Sequence, residues 1–564
     1  MPPRCLIPGS WLSIAAAAQQ RSSQVAPFLI PRLHDFKHPR RSSLNPLHTA
    51  SSSLPSPPPP FHPPHTPTFS SFSTSTNDTI FALATGASRA GVAIIRISGP
   101  HTPHIYHSLC LTSRLKPYRS LPPSHKLVLR NIHHPSTHEL LDSGAGVIHF
   151  PSNASYTGEE SLELHVHGGL ATVSGVLDAL GMVGEGVRMA EPGEFTRRAF
   201  EGGRLDLAEA EAVHGLVVAE TAVQRQVALQ GTQGLQTKRY EEMRGVLLRA
   251  MAMVEALIDF ADEDGVEEGT WQSAKASVDQ LATLLRSELG VSSIAEEGRE
   301  EEGEKQIRHV GEILTTGVRL AIYGPPNAGK SSLLNSLADR NAAIVSDNPG
   351  TTRDVLQVHL DLAGYKVIVY DTAGIRSPPT PTSSPSDQIE QIGIERAKDV
   401  VAAADLALLV QPATQPLNPQ TILRPHTYTD TDPDLIFYNK CDLLPNPAAL
   451  PPTSPQQRSW HGSVLTNTGL PTLITDLAAL ISRKYALRPT DPPLITHSRH
   501  RSLLHHSLLH ITTFQHLAQQ DEVDLVLAAE HLKYAARQVG KVTGRDVSPD
   551  EILGRIFSTF CIGK

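Results

Sequence analysis

The chain has 564 residues, 40% of them hydrophobic and 19% charged, with a formal net charge of −8. That length leaves room for about three to four domains. The acidic balance excludes a global pull towards nucleic acid, so any such contact is local or comes through a partner. No run reaches the ~18 uninterrupted apolar residues of a transmembrane helix. The scattered Cys5, Cys110, Cys441 and Cys561 make neither a disulfide framework nor a CxxC metal knuckle, which fits a reducing compartment.

Residues 1–76 set Arg4, Arg21, Arg32, Lys37, Arg40 and Arg41 against a single acid, Asp35, in a Ser- and Pro-rich background. A basic, acid-poor leader of this kind reads as an organelle transit peptide, and its proline run as a flexible or polyproline linker. Residues 77–195 read as an α+β domain. In "SLELHVHGG", Leu162, Leu164 and Val166 alternate with Glu163, His165 and His167, the pattern of a strand with one apolar face. Residues 196–316 turn helical: Leu205, Ala208, Ala212, Leu216, Ala219, Val223 and Val227 recur at three or four residues as one stripe, which "RGVLLRAMAMVEALIDF" continues. The acid-rich "EEGREEEGEKQ" is most simply a solvated helix face or linker.

Residues 317–486 alternate short apolar runs ("VRLAIYG", "YKVIVYD", "LALLVQ", "DLIFYN") with helical stretches, as buried parallel strands do. Helices return over 487–564, where Leu525, Ala528, Leu532, Ala535 and Val539 form a stripe, and Ser548, Pro549 and Glu551 fit a capping box. The expected fold is therefore multidomain, α+β and α/β: an N-terminal α+β domain, then a helical domain interrupted by an inserted P-loop, Ras-like α/β domain. The two helical pieces bury their stripes against each other.

"GPPNAGKS", 324–331, matches the phosphate-binding loop G-x-x-x-x-G-K-[ST] between a strand and a helix. Gly324, Asn327, Ala328 and Gly329 wrap phosphates with backbone amides, Lys330 reaches the β and γ phosphates, Ser331 ligates Mg²⁺, and Ser332 follows in the first helical turn. Taken alone, the motif is also compatible with a plain glycine turn. "DTAG" supplies Asp371 behind the magnesium, with Thr372, Ala373 and the Gly374 amide at the γ-phosphate. "NPGTTRD" offers Thr352 as a second Mg²⁺ hydroxyl. "NKCD" brings Asn439, Lys440 and Asp442, whose carboxylate accepts from both the ring N–H and the exocyclic amine of guanine, a donor pair adenine lacks. Ser463, Val464 and Leu465 close over the base. Many GTPases follow "DTAG" with a glutamine that orients water; this chain has Ile375, so another group must supply that catalysis.

With these motifs flanked by helices, the chain resembles the MnmE (TrmE) family of tRNA-modification GTPases. "GRIFSTFCIGK" is the most specific piece, supported by "PNAGKSSLLN", "PGTTRD", "DTAGIR", "IGIERA", "EPGEF", "GVAIIRISG" and "TGEESLELHVHGG", so the likeness covers residues 77–564. The resemblance implies a potassium ion in place of the missing glutamine, completed by dimerisation of the GTPase domains. Asn327 matches its ligand, and Ser346, Asn348 and Thr351 match the loop around it. It implies Glu390 as the water-orienting residue, with Glu395 second in line because "SPPTPTSSPS" enlarges that loop.

The same resemblance implies an N-terminal site for a tetrahydrofolate derivative (5-formyl or 5,10-methylene) at Arg96, Glu163, Arg204 and Lys564, with Cys561 as a catalytic thiol in the tail. Without it, these charges read as surface groups or ion pairs and Cys561 as tail packing. A rival reading makes His165-x-His167 a metal site, although no further ligand cluster is evident. The resemblance further implies a homodimer and an FAD-containing partner of the MnmG type. The substrate would be mitochondrial tRNA, modified in the matrix at the wobble uridine C5 with a carboxymethylaminomethyl or taurinomethyl group. A regulatory or ribosome-assembly GTPase is the alternative.

Overall fold

The computed structural model describes residues 78–259, 267–290, 309–340, 357–371, 397–429, 432–444, 457–487 and 492–545, and the single positions 557, 560 and 563. The first sheet is built from β1 (Thr79–Leu83), β2 (Val92–Ser98), β3 (Cys110–Leu111), β4 (Val128–His133), β5 (Leu140–Phe150), β6 (Ser161–His167) and β7 (Val187–Met189), in the order β3-β4-β5-β6-β2-β1-β7. The alternation read in β6 sets its faces. Leu162, Leu164 and Val166 are buried against α1 (Thr102–Leu109) and α2 (Leu170–Gly181), while Glu163, His165 and His167 point the other way. Part of that second face is covered by Phe195 of α3 (Glu194–Glu201), which packs with Ile80, Ala82 and Ala190.

The stripe from Leu205 to Val227 is divided between two helices, α4 (Leu207–Val218) and α5 (Ala222–Thr232). Ala219 is extended (φ −62°, ψ 120°), and Thr221 starts α5 with a capping box to Gln224. Two orphan donors satisfied by that box outweigh a continuous apolar period across the junction.

The helices α6 (Leu235–Asp259), α7 (Glu267–Leu289), α12 (Ser498–Leu517) and α13 (Leu525–Val542) share one core. Tyr240, Leu247, Val254, Val278 and Leu285 from before the α/β segment meet Leu504, Leu508, Ile511, Leu532 and Val539 from after it. Each such side chain contributes roughly 1.5–3 kcal/mol of apolar burial. A polar knot pins the first piece to the second. Glu211 of α4 is buried, and it accepts two hydrogen bonds of 2.8 Å from Arg499 and faces His500 Nε2 at 2.7 Å. Arg499 also donates to the carbonyls of Lys541 and Val542, at 3.0 Å each, satisfying the C-terminal end of α13.

Between these pieces, preceded by α8 (Val310–Thr316), lies the second sheet: β8 (Val318–Tyr323), β9 (Gln357–Leu362), β10 (Tyr365–Asp371), β11 (Leu406–Pro412), β12 (Asp434–Asn439) and β13 (Gln457–His461). Its order is β13-β12-β11-β8-β10-β9. All pairs are parallel except the edge pair β9–β10. β11 is buried along its whole length, which explains its unbroken apolar run. Around this sheet run α9 (Lys330–Arg340), a helix over residues 397–402 (α10) and α11 (Leu470–Lys484). The chain leaves β8 towards β10 on one side and returns to β11 on the other. The crevice beyond the C-terminal end of β8 is therefore the switch point where α/β sheets bind ligands.

Candidate nucleotide-binding site

The loop from Gly324 to Gly329 sits at that switch point, between β8 and α9. Two of its positions admit only glycine. Gly324 has φ +144°, and a Cβ there would lie 2.2 Å from the Val410 carbonyl oxygen; Gly329 has φ +96°, and its Cβ would lie 2.3 Å from Asn439 Nδ2. Asn327 occupies the left-handed region at φ +59° and is exposed. Ala328 is fully buried. Lys330 is buried as well, with Nζ donating to the carbonyls of Gly324 and Pro325 at 2.9 Å each, so the ammonium spans the mouth of the loop. Ser331 and Ser332 lie exposed in the first turn of α9, whose N-terminal amides and dipole favour an anion.

Asn439 joins this loop to the second binding segment. It is buried at the end of β12; its Nδ2 donates to the Ala328 carbonyl at 2.8 Å, and its Oδ1 accepts from the Val464 amide at 3.0 Å. Lys440 is left-handed at φ +64°, and Asp442 is exposed on the turn Cys441–Leu443. Ser463 is buried, with its amide bonded to the Thr468 carbonyl and its Oγ accepting from Thr466. Leu465 is 85% exposed, so it does not yet cover anything. The structure thus brings the phosphate loop, Asn439 and the 463–465 loop into one crevice. Asp371 ends β10 in register with Ile322, beside the phosphate loop. Thr372, Ala373, Gly374, Ser346, Asn348, Thr351, Thr352, Glu390 and Glu395 lie outside the described residues, as does the capping box at Ser548.

In the first sheet, Arg96 and Glu163 are cross-strand partners, and Arg96 Nε and Nη2 donate to one Glu163 oxygen at 3.2 and 3.0 Å. The guanidinium lies over the rings of Tyr156 (5.5 Å) and Phe195 (5.9 Å). Sequence reasoning passed over both rings, although they sit in the quoted "TGEES" neighbourhood and in "EPGEF". Arg204 is exposed; its stem rests on Gly158, in the loop that carries Tyr156. Cys561 and Lys564 lie outside the described residues, but their neighbours do not. The Phe560 ring packs against His214, tilted by 37° with centroids 4.5 Å apart, and buried Gly563 sits where a Cβ would be 2.3 Å from the Leu83 carbonyl oxygen of β1. The tail backbone therefore reaches the sheet that holds Arg96.

The other described thiols are poor nucleophiles. Burial pushes Cys110 up to about 12 and raises Cys441 as well. The metal reading of His165 and His167 finds no support: His167 Nδ1 is engaged by Asp142 at 2.6 Å, and among the described residues no group of three or more His, Cys, Asp or Glu could hold a metal. No helix of the described residues is long and apolar enough to cross a membrane.

Fold and crevice together define a P-loop nucleotide-binding protein with an Asn-Lys-x-Asp base loop set between two halves of a helical domain. The model of the MnmE helical domain matches residues 207–561, and that of the GTP-binding protein TrmE N-terminus matches 79–204. The chain belongs to the MnmE (TrmE) family. It is 40% identical over 510 residues to the Danio rerio mitochondrial 5-taurinomethyluridine-[tRNA] synthase subunit GTPB3, across 86% of this chain and 93% of that one. It is 41% identical over 488 residues to the tRNA modification GTPase MnmE of Parvibaculum lavamentivorans, across 86% of this chain and all of that one. A solved structure of Aquifex aeolicus Era with GDP and aluminium fluoride superposes at a TM-score of only 0.22, with 24% identity over 36% of this chain and 68% of that one, a likeness too slight to argue from.

Proposed function

We propose that this chain is a GTP hydrolase that acts in modification of the wobble uridine of mitochondrial tRNAs, in the matrix. It would work with an FAD-containing partner of the MnmG type and a tetrahydrofolate one-carbon unit. The observation that carries the reading is the Asn439 clasp, which holds the phosphate loop and the base loop in one crevice of a chain from this family. Lys330 binds the β and γ phosphates, the α9 amides bind the phosphate oxygens, and the Asp442 carboxylate selects guanine. The exposed Ser331 hydroxyl, with Thr352, fits magnesium, and the exposed Asn327 side chain, with Ser346, Asn348 and Thr351, fits potassium. Those ions supply positive charge against the charge that builds on the γ-phosphoryl group. Glu390 orients the water.

In the N-terminal domain, Arg96 and Glu163, with Arg204 and the tail residues Cys561 and Lys564, form the one-carbon site. The convergence of the Gly563 backbone and the Arg96 pair on one sheet supports this. The chain dimerises through that domain. Domain boundaries near residues 77, 196, 317 and 487 follow from the same reading.

Mass analysis of mitochondrial tRNA nucleosides from a strain lacking the protein tests the proposal. The C5-substituted wobble uridine should disappear; normal modification would leave a regulatory GTPase as the better account. For the cation, GTP turnover is expected to fall about 10²-fold when sodium replaces potassium, and Asn327→Ala should remove the difference. Equal rates in both salts would count against potassium.

A further inference from the structure

The helix α12 is rich in histidine: His500, His505, His506, His510 and His516. Most of those with a described partner are accounted for. His500 faces Glu211, and His506 Nδ1 donates to the Ser502 carbonyl at 2.6 Å. His510 instead turns towards His531 of α13, with the two Nδ1 atoms 3.3 Å apart while the ring centroids stand 5.5 Å apart. Both rings therefore aim the same nitrogen at a common point between the helices.

Without an ion, a weak hydrogen bond between the two imidazoles accounts for the contact, with one Nδ1 protonated and the other accepting. Two imidazole ligands at about 2.0–2.1 Å from a tetrahedral ion lie roughly 3.3–3.4 Å apart, which is the separation found. The rings are also held in place. Tyr534 stacks on His510 at 5.3 Å and 30°, and the backbones beneath are fixed by buried Leu508, Ile511, Leu532 and Ala535. His165 and His167 differ in this respect, because Asp142 draws His167 away.

We propose that His510 and His531 form an open two-histidine site for Zn²⁺ that cross-links α12 to α13. No third His, Cys, Asp or Glu among the described residues joins them, so water fills the remaining positions and the ion exchanges readily. The site is remote in sequence from the nucleotide crevice and does not depend on the function proposed above.

The test uses the full chain in buffer containing magnesium and potassium, with Zn²⁺ as the probe. Calorimetric titration should show saturable binding, and the unfolding temperature should rise with the zinc concentration once the site fills. His531→Asn should weaken that binding by about tenfold or more and abolish the thermal shift, with the metal-free unfolding temperature little changed. Cobalt(II) loading adds a second readout, an intense visible band for four-coordinate geometry, lost in the same variant. Should His510→Asn fail to fold, His531→Asn alone decides. Zinc binding and thermal shift that survive in His531→Asn would assign the ion to other histidines and overturn the proposal, as would no zinc binding at all.

Discussion

Replacing Glu211 by alanine is expected to destabilise the helical core by about 3–5 kcal/mol, because it strands a half-buried guanidinium and a buried imidazole without their counter-charge. Arg499 and His500 both converge on that carboxylate, and Arg499 in turn closes the carbonyl end of α13. The loss would spread from α4 to α12 and α13 together. Urea unfolding followed by helical circular dichroism measures it; a change under ~1 kcal/mol would show that the knot is ornamental. The same carboxylate sets an acid limit. Burial alone would raise its pKa, but the charges of His500 and Arg499 prevail and hold it well below the usual carboxylate range. A group depressed on folding stabilises the protein above its unfolded pKa of about 4.3, and that contribution is lost as the pH falls towards the lower folded value. The wild-type chain should lose stability on acidification through that window, and the Glu211→Ala variant should lose less.

The second large effect falls on catalysis. Lys330→Ala is expected to reduce GTP turnover by about 10²–10³-fold, the usual cost of removing one preorganised charge at a reacting phosphate. The ammonium is buried and already anchored across the loop by the Gly324 and Pro325 carbonyls, so little reorganisation is needed for it to meet phosphate oxygens. The fold should survive, since the neighbouring Ala328–Asn439 bond does not involve it. Single-turnover assays with [γ-³²P]GTP decide the point; turnover within a few-fold of wild type would remove Lys330 from the chemistry.

Local motifs were legible because their chemistry is local. Gly324 and Gly329 announce a loop that must pass close to other backbone, Lys330 follows at a fixed spacing, and Leu162, Leu164 and Val166 alternate because a strand does. The β9 edge strand was not read, since "QVHLDL" carries few of the signals of its buried neighbours and pairs antiparallel at the rim. The break between α4 and α5 was missed because an apolar period can persist across a capped junction.

By itself, then, the sequence determined where the phosphate-loop and base-loop motifs lie, the family, and the interruption of a helical domain by an α/β one, because spacing and periodicity are written along the chain. Only the tertiary structure decided that Asn439 clasps the phosphate loop, that Glu211 meets Arg499 and His500 some 288 residues away, and that His510 faces His531. Such contacts depend on how helices and strands pack, and the packing of distant segments leaves no periodic mark on either one alone.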